Sequence, residues 1–455
     1  MPERCWKEYG GAELEPALQS GAIVLLNAQW LVNFVYENEN KTLPRRQDLP
    51  PEAFLSCDEV IMSSSHRGQI QIYMVSHMWL HPEHPDPKGT TLRLLLAKSC
   101  YERLERSIGK CTPRWGIFWD YASLYQHPNP SAGLLRTPEE NEMFQQGLNA
   151  LATFFSHDWT RCYKVTEFPP DYLDQDAYNL PPGSNCAPYD DRGWPTVESC
   201  LVSMTKQADL TSDISREDAR NVTKQRRAPI TPEQMRTVLE QKSFTNAKDD
   251  RPLVAQLYQE QFERRFGRYE SLGWDDDQVE QFAYVLASGC TPQLTNIDLT
   301  RNKFGPRGCA ALARAMGTPD VLQQLKKVNL SDNLGIGDHG AMPFAEVAIR
   351  HSSLEWLLLG NCQIGDNFCK ALADAVCALD DHDIKGGQNC GSLTRGVLRR
   401  NPDIADEGYR HLGRFVSKCP NLQELFLDTK SEVFLRNEAM LRENAQNTGI
   451  KFKNF

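Results

Sequence analysis

The chain lacks the cysteine spacing that disulfide frameworks and structural zinc sites require. It contains 14 cysteines in 455 residues, yet no two of them form a Cys-x-x-Cys pair. Several fall where the sequence pattern calls for a small buried residue, among them Cys309, Cys362 and Cys369. Buried free thiols in a reducing compartment are the simplest account of this usage. We therefore expect a cytoplasmic protein.

The chain also lacks long apolar runs. In its amino-terminal region the longest purely apolar run is Ala22–Leu26, whereas a membrane-spanning helix needs about 20 such residues. The opening residues, Met1 to Cys5, do not show the basic-then-apolar order of a secretory signal. These absences predict a protein that neither spans a membrane nor has one as a partner.

Positive charge is in deficit, with 50 Lys+Arg against 60 Asp+Glu. An acidic chain without a basic stripe is poorly suited to displace counterions from phosphates, so we expect no nucleic-acid partner. Gly109-Lys110 lacks the upstream Gly and the following Ser/Thr of a phosphate-binding loop. His77, His81 and His84 are spread across a proline-rich stretch with no fixed helical face, so we expect no metal site.

One short pattern recurs five times in the last third of the chain. Each copy places apolar residues at spacings of three and two and then an Asn or Cys, and successive copies start 29 to 39 residues apart. The full copies are Leu294-Ile297-Leu299-Asn302, Leu325-Val328-Leu330-Asn333 and Leu354-Leu357-Leu359-Cys362. The fourth keeps Leu393, Leu398 and Asn401 with Gly396 at an apolar position, and the fifth, Leu422-Leu425-Leu427, loses the Asn.

This spacing predicts a short strand whose alternate side chains point inward, followed by a corner and a returning helix. The Asn or Cys turns inward and satisfies backbone groups at the corner. One such unit cannot bury its own face, so neighbours must stack. Residues 290–430 resemble leucine-rich repeats of the ribonuclease-inhibitor-like class. That resemblance implies an α/β solenoid that binds a protein partner. The third copy carries an insertion, Leu379–Cys390, whose Asp and Gly content predicts a surface loop.

Gly335-Ile336-Gly337-Asp338-His339-Gly340 matches the glycine fingerprint of dinucleotide-binding folds. The same corner in other copies reads Phe304-Gly305-Pro306 and Ile364-Gly365-Asp366. We therefore assign these glycines to the repeat corner and not to a nucleotide site.

Residues 69–210 alternate between strand-like and helix-like segments, which predicts an α/β domain with a mostly parallel sheet. The predicted segments, in order, are Ile70–Val75, Leu92–Ile108, Trp115–Trp119, Phe144–Phe155, Tyr163–Val165 and Trp194–Thr205. Residues 1–68 form an extension that includes the strand-like run Ala22–Leu26, and whether it joins the same sheet stays open.

Ligands of open α/β sheets bind beyond the carboxyl ends of the strands. Two blocks lie just past predicted strands there, and a third starts a helix with Trp and Glu four residues apart on one face. They are Ser76-His77-Met78-Trp79, Asp120-Tyr121-Ala122-Ser123-Leu124-Tyr125-Gln126 and Arg192-Gly193-Trp194-Pro195-Thr196-Val197-Glu198.

These blocks, in this order, resemble a Toll/interleukin-1-receptor (TIR) domain, and the first two also resemble fungal heterokaryon-incompatibility domains, over residues 69–205. The resemblance implies a flavodoxin-like parallel sheet, a signalling role and homo-oligomerisation. It also implies cleavage of NAD as a substrate, with Glu198 as the catalytic carboxylate and the NAD bound by Ser76, His77, Trp79, Asp120, Tyr121 and Trp194.

Alternatives stay open at these positions. Glu198 can be an ordinary solvated helix residue, and Asp120 can cap the turn that follows its strand. A proline-rich loop at residues 127–130 and an irregular stretch at 169–191 depart from the TIR pattern, and either can reshape or block a pocket.

Helical segments connect the two halves. We predict helices from Pro232 to about Lys242 and from Pro252 to Tyr269, and a further helix, Trp274 to Ala287, that covers the open end of the solenoid. The predicted organisation is an extension (1–68), a TIR-like domain (69–210), a helical connector (211–289) and the repeats (290–455). The predicted function is recognition of a protein partner by the repeats, with a repeat-regulated NAD glycohydrolase as the alternative.

Overall fold

The computed structural model describes residues 2–38, 41–63, 70–97, 115–128, 132–174, 182–206, 208–216, 226–267, 269–378, 392–419, 421–445 and 449–454. Some predicted features lie outside the described residues: the second half of the helix Leu92–Ile108, the Gly109-Lys110 pair, and the loop at 379–390. The chain divides into two compact units. The first unit is Met1–Lys224 with Pro232–Arg264, and the second is Gln225–Thr231 with Arg265–Phe455. The finer four-part division stays a prediction.

The first unit contains a six-stranded sheet. Its strands are β1 (Leu25–Asn27), β2 (Phe54–Leu55), β3 (Ile72–His77), β4 (Gly116–Phe118), β5 (Arg161–Val165) and β6 (Thr211–Asp213). Its helices are α1 (Pro2–Glu8), α2 (Glu15–Gln19), α3 (Ala28–Glu37), α4 (Cys57–Ser63), α5 (Thr90–Leu95), α6 (Asp120–Ser123), α7 (Pro138–Ser156), α8 (Gly193–Thr205), α9 (Pro232–Glu240) and α10 (Ala247–Arg265). Short 3-10 turns span Gly11–Glu13, Arg46–Asp48, Pro51–Ala53, Tyr189–Asp191 and Ala208–Leu210.

The strand order is β2-β1-β4-β3-β5-β6. Strands β4, β3, β5 and β6 run parallel, whereas β1 pairs antiparallel with both β4 and β2. Of the strand-like run Ala22–Leu26 in the amino-terminal extension, only Leu25 and Leu26 join the sheet, because β1 spans Leu25–Asn27. A mixed α/β unit with parallel strands is confirmed, and its TIR-like character stays a proposal.

Strand β3 lies in the interior of the sheet, and all six of its residues are buried. It extends two residues beyond the predicted end at Val75, because Ser76 pairs with Lys164 and His77 pairs with Val165 of β5. Ser76 and His77 thus lie within the strand. The sequence pattern had predicted that they lie just past its end. Asp120 does follow β4 directly, at the start of α6.

The second unit contains six parallel strands in chain order, β7 (Asn296–Asp298), β8 (Lys327–Asn329), β9 (Trp356–Leu358), β10 (Arg395–Val397), β11 (Glu424–Phe426) and β12 (Lys451–Lys453). Its helices are α11 (Asp276–Ala287), α12 (Pro306–Met316), α13 (Gly337–Arg350), α14 (Asp366–Cys377), α15 (Asp406–Lys418) and α16 (Glu432–Ala445). Leu299, Leu330 and Leu359 are fully buried in one shared core. The stacked repeats are as the pattern predicted, and β12 is a sixth strand that the five copies did not reveal.

The corner asparagines bond to backbone groups inside the solenoid. The Asn401 side chain donates to the carbonyls of Leu359 and Leu398 and accepts from the amides of Cys362 and Ile364, at 2.8 to 3.2 Å. Cys362 takes the Asn position in its own repeat, with its Sγ 3.2 Å from the Leu330 carbonyl oxygen. Each corner therefore ties its repeat to the one before it.

Carboxylates at helix starts form a second link between repeats. Asp276 Oδ1 accepts from the amides of Gly305 and Gly308, at 2.7 and 2.8 Å. Asp338 does the same for Gly365 and Phe368, at 2.7 and 3.1 Å, and Asp366 Oδ1 accepts from the Ala405 amide at 2.7 Å. The first turn of one helix thus caps the start of the next.

The glycine fingerprint belongs to this architecture. A Cβ on Gly335 would lie 3.1 Å from the Phe304 carbonyl oxygen, and one on Gly340 would lie 3.2 Å from the Pro306 Cα. Gly337 has φ 57° at the start of α13. The glycines therefore permit close approach of adjacent repeat corners, in agreement with the assignment made from the sequence.

Among the described residues, no helix combines the length and apolarity needed to cross a membrane.

Candidate functional site

A cleft of about 210 Å³ opens at the carboxyl ends of β3 and β4 in the first unit. Five of the seven predicted site residues line it: His77, Trp79, Asp120, Trp194 and Glu198. Asn185 also lines the cleft, so the described part of the irregular stretch 169–191 helps to form its wall. The structure therefore brings the three sequence blocks together around one opening.

Glu198 is mostly buried at the start of α8, so it is not an ordinary solvated helix residue. Its Oε2 accepts a short hydrogen bond from Ser76 Oγ, and Ser76 itself is fully buried. Burial, together with the Asp120 charge, raises the pKa of the Glu198 carboxyl to about 7 against the lowering effects of the Ser76 hydrogen bond and of the His77 and Lys164 charges. The carboxyl is thus poised between its two protonation states near neutral pH.

Asp120 connects the ends of β3 and β4. Its Oδ1 lies 3.0 Å from His77 Nε2, and its Oδ2 accepts from Trp79 Nε1 at 2.5 Å. Burial alone would lower the pKa of His77, but the Asp120 charge and hydrogen bond outweigh it and raise that pKa. Asp120 Oδ1 also accepts from the Tyr121 amide at 2.7 Å, so the carboxylate bonds to the first turn of α6 while it faces the cleft.

Aromatic rings form the walls of the cleft. Trp79, Trp194 and Phe244 line it, and the Trp194 side chain is hydrogen-bonded to Asp250. Phe244 packs directly on the backbone of Gly193, where an added Cβ would lie 1.8 Å from the ring. Flat apolar walls with carboxylates between them suit a flat ligand that carries positive charge.

Arg192 fixes the loop that follows β3. Its guanidinium, almost completely buried, donates to the carbonyls of Trp79, Asn185 and Ala187. Burial lowers the pKa of Arg192 to about 10. This side chain therefore organises the rim of the cleft by satisfying backbone carbonyls.

Ser76 and Tyr121 are the two predicted site residues that do not line the cleft, and Ser76 is buried behind Glu198. The Tyr121 ring lies in the core beside Trp79 and His84, with centroid distances of 5.9 and 4.6 Å. The three histidines also diverge, because His81 Nε2 contacts the Pro182 carbonyl and His84 Nε2 contacts the Leu43 carbonyl. Within the described ranges, no group of three or more His, Cys, Asp or Glu side chains could hold a metal ion.

Sequence reasoning missed several members of the site. Tyr189 and Lys164 lie behind Glu198, while Phe244 and Asp250 reach the cleft from the segment assigned to the connector. None of them belongs to a recognisable block.

A second candidate site is the strand face of the second unit, defined by the residues of β7–β12 that alternate with the core-facing ones; two of them, Val397 and Phe426, are themselves buried. The strand face comprises Asn296, Asp298, Lys327, Asn329, Trp356, Leu358, Arg395, Val397, Glu424, Phe426, Lys451 and Lys453. Their neighbours in each strand, such as Ile297, Val328 and Leu357, point into the core. The strand face carries four basic and two acidic side chains, on a chain whose net charge is −10.

Trp356 is the aromatic centre of this face. Arg395 Cζ lies 4.1 Å from its ring centroid, and Lys327 Nζ lies 5.6 Å from it. Glu424 is neutralised by two cations, since Arg395 Nε lies 2.8 Å from its carboxylate and Lys453 also pairs with it. The face therefore presents a half-buried ring between basic side chains.

Comparison with known proteins bears on the second unit. A family described as Leucine Rich repeat matches residues 292–313 and 321–345. No curated protein matches the chain. One solved structure, described as a Rad7 and Elc1 complex in yeast, is 12% identical, covers 68% of this chain and 77% of that chain, and has a TM-score of 0.25, which is too low to support an argument. The chain therefore contains leucine-rich repeats within residues 292–345.

Proposed function

We propose that the chain is a recognition protein whose repeats bind an acidic segment of a protein partner on the strand face. One observation carries this proposal: Trp356 lies between Arg395 and Lys327 at the middle of a basic face on an acidic chain. Aromatic and Arg side chains dominate binding energy at protein interfaces. Opposite charge steers the encounter between a basic face and an acidic segment.

A random peptide library selected against the full-length protein tests the proposal. Selected sequences should be enriched in Asp and Glu around an apolar residue. Their affinity should fall about thirtyfold on Trp356→Ala, as for a central interface residue worth ~2 kcal/mol. Arg395→Glu should weaken binding and reduce its dependence on salt.

The matched control is Lys370→Glu, which changes the same charge on the exposed side of α14. It should leave binding unchanged. Selected peptides that bind Trp356→Ala and Arg395→Glu as tightly as the unaltered protein would show that the partner binds elsewhere.

A second function is proposed for the cleft, which is cleavage of the nicotinamide–ribose bond of NAD. The nicotinamide ring of NAD is a flat cation, which suits the aromatic walls and the carboxylates of Asp120 and Glu198. Cleavage builds positive charge on the ribose, and a carboxylate beside the sugar stabilises it, as in glycosidases. The order β4-β3-β5-β6 of the parallel strands, as in flavodoxin-like sheets, also supports a TIR-like reading.

Release of free nicotinamide from NAD by the purified full-length protein tests this second function. Turnover should be lost on Glu198→Gln and kept on Glu240→Gln, which alters an exposed carboxylate at the end of α9. The assay should be repeated on protein fused to a dimerising domain. Absence of nicotinamide release in both forms would contradict the proposal.

A further inference from the structure

A line of hydrogen bonds leads away from Glu198 into the protein. Ser76 Oγ bonds to Glu198, Tyr189 OH lies 2.6 Å from Ser76 Oγ, and Ser199 Oγ lies 3.1 Å from Tyr189 OH. The line ends at Lys164 Nζ, which donates to Ser199 Oγ at 3.0 Å. Ser76, Tyr189 and Ser199 are all buried.

The fold explains this convergence. Ser76 of β3 and Lys164 of β5 are paired neighbours in the parallel sheet, so their side chains point to the same face. Glu198 and Ser199 are adjacent residues of α8, and Tyr189 belongs to the 3-10 turn just before that helix. Two strands, one turn and one helix therefore contribute to a single line.

The groups at the two ends of the line fix the donor-to-acceptor direction of every hydrogen bond in it. An ammonium group can only donate, and an ionised carboxylate can only accept. Since Ser76 gives its one proton to Glu198, it accepts from Tyr189. Tyr189 in turn accepts from Ser199, and Ser199 accepts from Lys164. Every hydroxyl in the line is satisfied when Glu198 is a carboxylate.

We propose that Lys164 is a positioning residue that acts through Ser199, Tyr189 and Ser76 to hold Glu198 as a proton-accepting carboxylate at the cleft. The inference deepens the NAD-cleavage proposal and rests on it for its catalytic meaning. Lys164 itself does not line the cleft, so its effect on Glu198 passes through the three hydroxyls.

Other charged groups also face Glu198. Asp120 opposes ionisation of Glu198, whereas His77 from β3 and Lys164 from β5 favour it. Tyr189 and Cys162 are buried nearby, and burial raises the pKa of each, so both are neutral at pH 7. Lys164 and His77 are thus the cations that offset the Asp120 charge at Glu198.

The test measures the titration of the Glu198 carboxyl by ¹³C NMR of protein labelled at the glutamate carboxyl carbon, with Glu198→Gln assigning the signal. Lys164→Met and Tyr189→Phe should each raise the pKa of Glu198 by about one unit, because each removes support for the charged form. Lys164→Arg keeps the positive charge and should therefore retain most of the support for the charged form of Glu198. Lys7→Met, which removes an exposed lysine of α1, is the matched control and should have no effect.

A titration that stays unchanged in Lys164→Met, or that moves in Lys164→Met but not in Tyr189→Phe, would overturn the proposal. Ser199→Ala interrupts the same line and replaces Tyr189→Phe if that variant does not fold. This readout needs no activity, so failure to release nicotinamide would remove the NAD proposal alone. Where turnover is present, the rise of kcat/KM with pH should shift upward by the same amount in Lys164→Met.

Discussion

Glu198 keeps a proton in the folded protein at pH values where the unfolded chain has lost it, because burial raises the pKa of its carboxyl from 4.5 to about 7. Unfolding between these values therefore releases a proton, and stability falls as the pH rises from about 4.5 to about 7. Glu198→Gln should remove this fall. Urea unfolding of the unaltered protein and of Glu198→Gln at several pH values in this window checks the prediction. A difference in unfolding free energy between the two proteins that stays constant with pH would contradict it.

His77 depends on Asp120 for its charge. Burial lowers the pKa of His77, and the Asp120 carboxylate more than restores it. Asp120→Asn should therefore drop the pKa of His77 below 6.5, as measured by NMR of protein labelled at histidine. His351 is the internal control, because burial lowers its pKa without a nearby carboxylate. An unchanged His77 titration would show that another group supplies the charge.

The sequence was most informative for residues that belong to a block. Glu198, Asp120 and Trp194 were recognised by their order and spacing, and they do meet at one cleft. Tyr189 and Lys164 were not recognised, because their roles depend on the register of β5 and on a turn 113 residues from Ser76 in sequence. A hydrogen-bond line across distant segments leaves no local pattern to read.

At the scale of elements, the helix starts of the repeats are capped by carboxylates from neighbouring helices. Asp338→Ala should destabilise the protein by ~1 kcal/mol, as for other lost caps. Hydrogen exchange should accelerate in the peptide that contains Gly365 and Phe368, because the backbone amides of both residues donate hydrogen bonds to Asp338. Glu346→Ala, an exposed change on the same helix, is the control. Unchanged exchange at α14 would contradict a capping role.

Element boundaries were harder to predict than element types. The helix expected to start at Pro252 starts at Ala247 and contains that proline inside its second turn. The helix expected at Phe144 starts at Pro138, where Thr137 and Glu140 form a capping box ahead of the apolar face. Polar first turns extend helices beyond their apolar stripes, and a search for apolar periodicity misses them.

At the scale of the whole molecule, the repeats should respond to damage through their neighbours. Leu330→Ala removes a fully buried side chain from the middle of the stack and should cost ~3 kcal/mol. Exchange should accelerate in both α12 and α14. Leu427→Ala, close to the last strand, should accelerate exchange mainly in α15 and α16. Equal effects of both substitutions throughout the second unit would indicate one indivisible cooperative block.

The repeat architecture could be predicted at this scale because one pattern returned five times. The sixth strand could not, since Lys451–Lys453 carries the apolar Phe452 alone between two lysines. The antiparallel edge formed by β1 and β2 was equally hidden, because a three-residue strand does not reveal its direction. Pairing partners are set by the folded chain and not by the short strand itself.

Among the described repeat helices, the carboxylate caps are missing at two junctions, and at one of them, α15–α16, Asp406 bonds instead to the side chains of Arg436 and Asn437. At the other, α12–α13, helix α12 starts with Pro306 and has no acid in its first turn, so α13 has no cap of the kind that Asp276, Asp338 and Asp366 supply. If the second unit is pulled from its two ends, rupture should begin at this junction, where fewer polar links resist shear. The unit would then extend in two steps, with α11 and α12 leaving as one piece and the helices after them as another.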